Sequence, residues 1–537
     1  MRDLPQIFLN HLSYSIPGTS VGFQDVSFAF KQRRYGIVGD NGTGKTTLLK
    51  LIAQCMLPQH GTVKSTGRIA YCPQQYKPAH PKEQISELLG IADKLQALHR
   101  IQQGQISEKD LLLLADNWDI HAKVAQAFAT IGLDELDLAR PVLSLSGGET
   151  TKCLLARVML TNADFILLDE PTNNLDRLSR KKLSVWIKQA KQGFLIVGHD
   201  RHLLDTMDEI IEITPISVNH YGGNYSFYQQ QKQIHQGALE QQLQEAKHQI
   251  HTTQCSIQRS LEKLEQRRKQ GKTLKHQGKI DKLMANSMRG RSERTQSRHA
   301  TQADKMLQQA KANMAMVRSQ IEVKEPIRVN LEATQVPNGK IVLRINALNY
   351  AFPGQPDLFC DFHLLITGPE RVAIAGNNGT GKTTLIQLIL GHLKDYQGEI
   401  HLGVSPVCYL DQQVHFLKSN LSLVENLQIC NPDMQIQEAY AALASFNFRN
   451  KDAEKTVCHL SGGERLRAGL AIRLLSKIPP QLMILDEPTN HLDIRSIEAI
   501  EQMLRRYEGA LVVVSHDQAF LNNLGIHRTI ILEKYDG

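Results

Sequence analysis

The sequence predicts an α/β protein: two copies of a mainly parallel, phosphate-binding domain, joined by an α-helical hairpin of antiparallel coiled-coil type. Three observations carry that prediction. A G-x-x-x-x-G-K-[ST] loop occurs twice, the same motifs follow each copy in the same order, and a long segment of different composition separates them. The first loop runs Gly39, Asp40, Asn41, Gly42, Thr43, Gly44, Lys45, Thr46; the second runs Gly376, Asn377, Asn378, Gly379, Thr380, Gly381, Lys382, Thr383. Each follows an apolar run, Tyr35-Gly36-Ile37-Val38 or Val372-Ala373-Ile374-Ala375, and leads into a helical run from Thr47 or Thr384. That strand–loop–helix setting gives the motif its specificity. Glycines let backbone N–H groups crowd around phosphate oxygens, and the helix N-terminus adds its positive dipole end. The lysine neutralises phosphate charge, and the Thr46 or Thr383 hydroxyl is placed to bind Mg2+.

The halves repeat. Leu12-Ser13-Tyr14-Ser15-Ile16-Pro17-Gly18 aligns with Leu348-Asn349-Tyr350-Ala351-Phe352-Pro353-Gly354 at a similar distance before each loop. We expect a first domain over 1–228, a linker over 229–338 and a second domain over 339–537. The first domain has the longer stretch between Gln74 and Ser146, which predicts an enlarged helical arm at about 85–125.

The motifs after each loop identify the class. Leu145-Ser146-Gly147-Gly148-Glu149 is followed by Phe165-Ile166-Leu167-Leu168-Asp169-Glu170, then Pro171-Thr172-Asn173-Asn174-Leu175-Asp176 and Val197-Gly198-His199-Asp200. In the second half come Leu460-Ser461-Gly462-Gly463-Glu464, Met483-Ile484-Leu485-Asp486-Glu487, Pro488-Thr489-Asn490-His491-Leu492-Asp493 and Val514-Ser515-His516-Asp517. With the Tyr221-Gly222-Gly223-Asn224-Tyr225 segment and the charged linker, the chain resembles the ABC-F family of tandem ATP-binding-cassette ATPases.

The resemblance implies two ATP molecules sandwiched between head-to-tail cassettes, each site taking its phosphate loop from one cassette and its signature from the other. Site one would combine Lys45, Thr46, Gln74, Asp169, Glu170 and His199 with Ser461, Gly462 and Gly463. Site two would combine Lys382, Thr383, Gln412, Asp486, Glu487 and His516 with Ser146, Gly147 and Gly148. Asp169, Asp486, Gln74 and Gln412 would serve Mg2+ beside the two threonines. Glu170 and Glu487 would polarise the attacking water, and His199 and His516 would contact the γ-phosphate. Three departures stand out: Gly198 replaces the usual Ser before His199, Asn174 replaces the usual His, and Ile16 stands where an adenine-stacking aromatic is expected. Phe352 keeps that role in the second cassette, and Tyr14 is the candidate substitute in the first.

In the linker, Leu239, Leu243, Ala246, Ile250, Ile257, Leu261 and Leu264 fall at helical spacing, as do Leu307, Ala310, Met314, Val317 and Ile321. Two such stripes in sequence read as an antiparallel hairpin, which Pro326 ends. Between them, residues 267–298 carry eleven Lys and Arg against Asp281 and Glu293. That net charge of +9 exceeds the +8 of the whole chain. Like charges packed so densely repel unless a polyanion answers them, and RNA phosphate is the natural partner. No aromatic residue lies in this tip, which argues against base stacking. The resemblance implies a ribosome partner, contacted at ribosomal RNA and the peptidyl-site transfer RNA.

No apolar run approaches the roughly 18 residues that span a membrane, and Met1-Arg2-Asp3-Leu4-Pro5 lacks a signal-peptide pattern. Eight scattered cysteines without a C-x-x-C pair fit a reducing cytoplasm and argue against zinc. We therefore expect a cytoplasmic, monomeric ATPase that pairs its own cassettes and modulates translation. The alternatives are an antibiotic-resistance factor that protects the ribosome, and the tandem ATPase subunit of a membrane importer. A DNA-repair-type ATPase is disfavoured by the missing zinc cysteines.

Overall fold

The structure is a computed structural model. It describes residues 5–15, 22–115, 117–133, 136–214, 217–276, 305–309, 311–314, 334–411, 414–446, 448, 451–490 and 492–533. The chain forms two compact units, Met1–Tyr225 with Ile327–Gly537, and Ser226–Pro326.

The first unit holds both repeats. The first repeat contributes β1 (Ile7–Ser15), β2 (Gly22–Phe30), β3 (Arg34–Val38), β4 (His60–Ser65), β5 (Ile69–Cys72), β6 (Phe165–Asp169), β7 (Gly193–Val197), β8 (Glu209–Ile213) and β9 (Val218–Gly222). The second contributes β10 (Ile341–Ala351), β11 (Asp357–Thr367), β12 (Arg371–Gly376), β13 (Gln397–Leu402), β14 (Val407–Leu410), β15 (Leu482–Asp486), β16 (Ala510–Val514) and β17 (Arg528–Leu532). The core sheets run β5-β6-β7-β3-β8-β9 and β14-β15-β16-β12-β17. Every pairing in them is parallel except that of β8 with β9. Their central strands are continuous apolar runs; all five residues of β6, β7 and β16 are buried, as strands covered on both faces require. Antiparallel sheets β2-β1-β4 and β11-β10-β13 complete the two cassettes.

The phosphate-loop strands β3 and β12 lie inside their sheets and run into helices Lys45–Ile52 and Lys382–Ile389. The adjacent strands β7 and β16 end just before His199 and His516, and β6 and β15 end on Asp169 and Asp486. The parallel topology thus gathers these chemical groups at one edge, outside the carboxyl ends of the strands.

The enlarged arm of the first repeat consists of helices Ile85–Leu88, Ala92–Gln102, Glu108–Leu114 and Ile120–Ile131. Arg100 clamps Asp110 with Nε at 3.2 Å and Nη2 at 2.6 Å, tying the second of these helices to the third. In the other unit, helix Tyr225–His276 extends for 52 residues, about 78 Å at 1.5 Å per residue. Leu239 and Ala246 are buried on it, and Leu243, Ile250 and Ile257 are half-buried. The expected apolar stripe is therefore its sheltered face. Residues 305–309 and 311–314 are also helical, with Leu307 and Met314 half-buried. The side chains of Leu261 and Leu264 lie outside the described residues, as do Ala310, Val317, Ile321, Pro326 and the basic stretch 277–298.

Candidate active site

Each phosphate loop is shaped by glycines in the left-handed region. Gly42 and Gly44 have φ of 84° and 98°, and Gly379 and Gly381 have 83° and 86°. Gly44 and Gly381 are also the helix N-caps, so the first N–H groups of each helix open onto the loop. Lys45 Nζ donates to the carbonyls of Gly39 and Asp40 at 2.7 and 2.8 Å. Lys382 Nζ donates likewise to Gly376 and Asn377 at 2.7 and 3.0 Å. Burial lowers the pKa of both ammonium groups. Thr43 and Thr380 brace the loops by donating to the Asp40 and Asn377 carbonyls at 2.9 and 3.0 Å.

The Thr–Asp pairs expected to serve Mg2+ form in both copies. Thr46 Oγ1 donates to Asp169 Oδ1 at 3.1 Å, and Thr383 Oγ1 to Asp486 Oδ2 at 3.1 Å. Tyr71 and Tyr409, which the motif reading missed, each aim a hydroxyl at the same aspartates, at 3.4 and 3.5 Å. Burial raises both aspartates above the usual carboxylate range. Among the described residues no three His, Cys, Asp or Glu side chains gather as a metal cage. A hydroxyl and one carboxylate fit Mg2+, which keeps several waters and takes further oxygens from phosphate. Gln74 is exposed just beyond β5, and Gln412 lies outside the described residues.

Glu170 and Glu487 both adopt left-handed backbone, φ 50° and 47°, and donate their N–H groups to Val197 O and Val514 O at 2.8 Å. Such strain costs about 1–3 kcal/mol and persists only where the surroundings over-determine it. His199 Nε2 lies 3.1 Å from Glu170 Oε1, and His516 Nε2 lies 3.3 Å from Glu487 Oε1. Burial, the largest cause in each case, raises Glu170 and lowers His199. It moves Glu487 up to about 7 and His516 down to about 3. Burial thus weakens the ionic character of both contacts. Both ring nitrogens of His199 and Glu487 Oε2 are buried without a hydrogen bond. Orphaned polar atoms at this depth fit a polar ligand and a water. A carboxyl with a pKa near neutrality can accept a proton from that water.

The signature segments begin helices Gly147–Leu160 and Gly462–Leu474. Ser146 Oγ accepts from Glu149 N at 3.2 Å, and Ser461 Oγ accepts from Glu464 N at 3.3 Å; each glutamate reciprocates in a capping box. The S-x-x-E spacing carries that signal. The repeats meet at these elements. A Cβ on Gly148 would lie 3.0 Å from Asn378 Nδ2 of the opposite phosphate loop. Asn378 Nδ2 donates to Asn174 O at 3.1 Å, Asn41 N donates to Asp493 Oδ2 at 2.9 Å, and Arg495 Nη1 pairs with Asp40 at 2.6 Å. Gly147 and Gly462 leave room for close approach to Asn174 and Leu492, and Gly463 abuts Ser496. Of these bridging residues, Asp493 belongs to the Pro488–Asp493 motif, whereas Arg495 had no spacing signal.

Phe352 is 38% exposed, edge-on to Tyr350 at 5.2 Å. Ile16 lies outside the described residues. Tyr14 pairs with Phe23 across β1 and β2, just as Tyr350 pairs with Phe359. Tyr14 thus holds the register of Tyr350, not of Phe352. At Gly198 a Cβ would come no nearer than 4.0 Å to Glu170, so the missing serine is not a steric requirement.

A family model described as ABC transporter matches residues 23–173 and 360–490. ABC transporter F family member 5 of Arabidopsis thaliana is 28% identical, over 98% of this chain and 74% of its own length. The ATP-binding protein YdiF of Bacillus subtilis (strain 168) is 30% identical, over 96% of this chain and 78% of its own. Among solved structures, the RNase-L inhibitor superposes with a TM-score of 0.56 at 18% identity, covering 99% of this chain and 88% of that one. An archaeal ribosome recycling factor, aABCE1 in complex with the ribosomal stalk protein aP1, gives 0.54 at 18%, covering 98% and 88%. At that identity the likeness is one of fold. No helix among the described residues is long and apolar enough to cross a membrane. The two phosphate loops, the two signatures and these relatives agree: the chain belongs to the ATP-binding-cassette family, in its F group, and is an ATPase.

Proposed function

We propose that the chain couples ATP turnover in two composite sites to ribosome binding, and that it modulates translation through the basic segment 267–298. The observation that carries the RNA-directed part is the +9 charge of that segment, carried into by a helix of 52 residues. Counterion release from RNA phosphate gives such a segment affinity without base readout.

In each site, the loop N–H groups and Lys45 or Lys382 bind the β- and γ-phosphates, swinging from the loop carbonyls they now meet. Thr46 with Asp169, and Thr383 with Asp486, would hold Mg2+, which would supply neutralisation of phosphate charge. Glu170 or Glu487 orients a water for in-line attack on the γ-phosphorus. The new P–O bond forms as the bond to the bridging oxygen breaks, ADP leaves with that electron pair, and the water's proton passes to the carboxylate and on to phosphate. His199 and His516, kept neutral by burial, donate one N–H to the γ-phosphate. Ser461 and Gly463, or Ser146 and Gly148, add donors from the opposite cassette. Phe352 stacks on adenine in site two.

The test is sedimentation of the chain with ribosomes and with membrane vesicles, with and without ATP. We expect ATP-dependent pelleting with ribosomes. Pelleting with vesicles alone would favour the importer-subunit reading.

A further inference from the structure

The two composite sites carry nearly the same phosphate-handling residues, yet they are tied across the cassettes by different chemistry. At site one, Arg495 Nη1 lies 2.6 Å from Asp40 Oδ2, and Asp493 Oδ2 accepts the Asn41 N–H at 2.9 Å. Both acceptor and donor on the first cassette belong to its phosphate loop. At site two the corresponding residues are Leu178 and Asn377, an exposed apolar side chain and a neutral amide. The aspartate matching Asp493 is Asp176, and its Oδ2 faces Lys152 of its own cassette at 3.8 Å. Among the described residues the hydrogen bond that crosses to the phosphate loop at site two is a neutral one, Asn378 Nδ2 to Asn174 O at 3.1 Å; the charge of Arg180 acts instead on Glu487 and His516, beyond the loop.

Charge-assisted bonds are the stronger class. Arg495 hangs from the helix Ile494–Arg506, whose N-cap is Asp493 itself, with Oδ1 accepting Ser496 N at 2.8 Å. One rigid helix start therefore delivers both ties to adjacent residues of one loop. We infer that Arg495 is a positioning residue: through Asp40 it holds the phosphate loop of site one against the opposite cassette, so nucleotide dwells longer in site one than in site two. The inference rests on the composite-site reading above. It concerns release from the paired cassettes, not the adenine contact, which acts on each cassette separately.

The test uses the full chain and N-methylanthraniloyl-ATP chased with unlabelled ATP. Lys382→Ala confines the probe to site one, and Lys45→Ala confines it to site two. Adding Arg495→Leu, which copies Leu178, should speed release from site one by about two- to five-fold, the range expected of a partly exposed pair. Release from site two should not change. Arg495→Lys should restore most of the dwell time. The transplant Leu178→Arg with Asn377→Asp should slow release from site two, a gain that general loosening of the interface cannot mimic. Unchanged release from site one in Arg495→Leu, or equal acceleration at both sites, overturns the inference. Probe binding that survives both lysine substitutions unaltered overturns the composite-site assignment itself, and the role of Arg495 with it.

Discussion

Arg201 and Glu501 form an ion pair across the two cassettes, with Nη1 to Oε1 at 2.9 Å and side chains only 12% and 7% exposed. Asn523 Nδ2 also donates to Glu501 at 3.0 Å. Replacing Arg201 by Ala leaves a buried carboxylate without its cation, a change worth about 3–5 kcal/mol in comparable pairs. Burial already raises the Glu501 pKa with Arg201 in place, so in the variant Glu501 relieves part of the cost by taking up a proton. We therefore place the penalty on cassette pairing near the low end, about 3 kcal/mol, or roughly two orders of magnitude in the pairing equilibrium. The sign with pH follows. In paired cassettes burial raises the Glu501 pKa, and separation, by restoring solvent to the carboxyl, should relax that shift, so the paired state binds more protons. Its disadvantage in Arg201→Ala must then grow as pH rises above the ordinary carboxylate range. The assay is small-angle scattering of the ATP-loaded chain at several pH values, with ATP turnover read in parallel. Arg201→Met with Glu501→Leu should recover pairing and lose the pH dependence. A single variant that pairs like the parent, or that pairs less well on acidification, refutes the reasoning.

Three other outcomes are expected. Glu170→Gln with Glu487→Gln should cut steady-state ATP turnover by about 10^2- to 10^4-fold and increase the ribosome-bound fraction on sucrose gradients; undiminished turnover would remove both residues from their assigned role. Phe352→Ala should weaken nucleotide binding at site two by about 0.5–1.5 kcal/mol, measured in the Lys45→Ala background. Ile16→Phe should strengthen binding at site one by a similar amount, and no change in either would mean that neither position faces adenine. Changing Arg267, Arg268, Lys269, Lys272 and Lys275 to Gln should leave basal turnover intact. It should also flatten the salt dependence of ribosome binding by roughly 0.7–0.9 log–log units for each phosphate that is no longer neutralised; an unchanged slope, with unchanged effect on translation, would leave the basic cluster as solvated surface.

What was legible in the sequence follows the range of the interaction. Asp169, Glu170, Asp486 and Glu487 were readable because each ends a short apolar run that can only be a buried strand. The phosphate loops were readable because glycine spacing dictates their backbone. The capping role of Glu149 and Glu464 is also present as S-x-x-E, although the resemblance gives Ser146 and Ser461 only a phosphate to hold. Arg201 with Glu501, and Arg495 with Asp40, were not readable: their partners stand 300 and 455 residues apart, and nothing local marks them. The repeat already aligns Tyr14 with Tyr350, and the β1–β2 pairing of Tyr14 with Phe23 gives it the same register in the structure.

The asymmetry has a physical reason at the centre of the paired cassettes. A homodimer with two-fold symmetry must use each contact residue twice, whereas two repeats in one chain need not. Arg180 and Ile497 occupy matching positions, each four residues beyond the Asp that caps its helix. Both line one cavity with Asp200 and Asp517, the residues that follow the two histidines. Arg180 Nη1 lies 3.4 Å from Asp200 Oδ2 and also lowers the pKa of Asp517, which burial and Asp200 raise. Two isoleucines here would leave Asp200 without its guanidinium partner, with only Arg201 still acting on Asp517. Two arginines would set like charges together in a space already closely filled. One of each lets the Arg180 guanidinium pair with Asp200 and join Arg201 in stabilising the Asp517 carboxylate, and that arrangement also brings the Arg180 charge to bear on Glu487 and His516. The sites differ, then, because the Arg180 cation at this pseudo-symmetric centre belongs to one half and its counterpart is the uncharged Ile497.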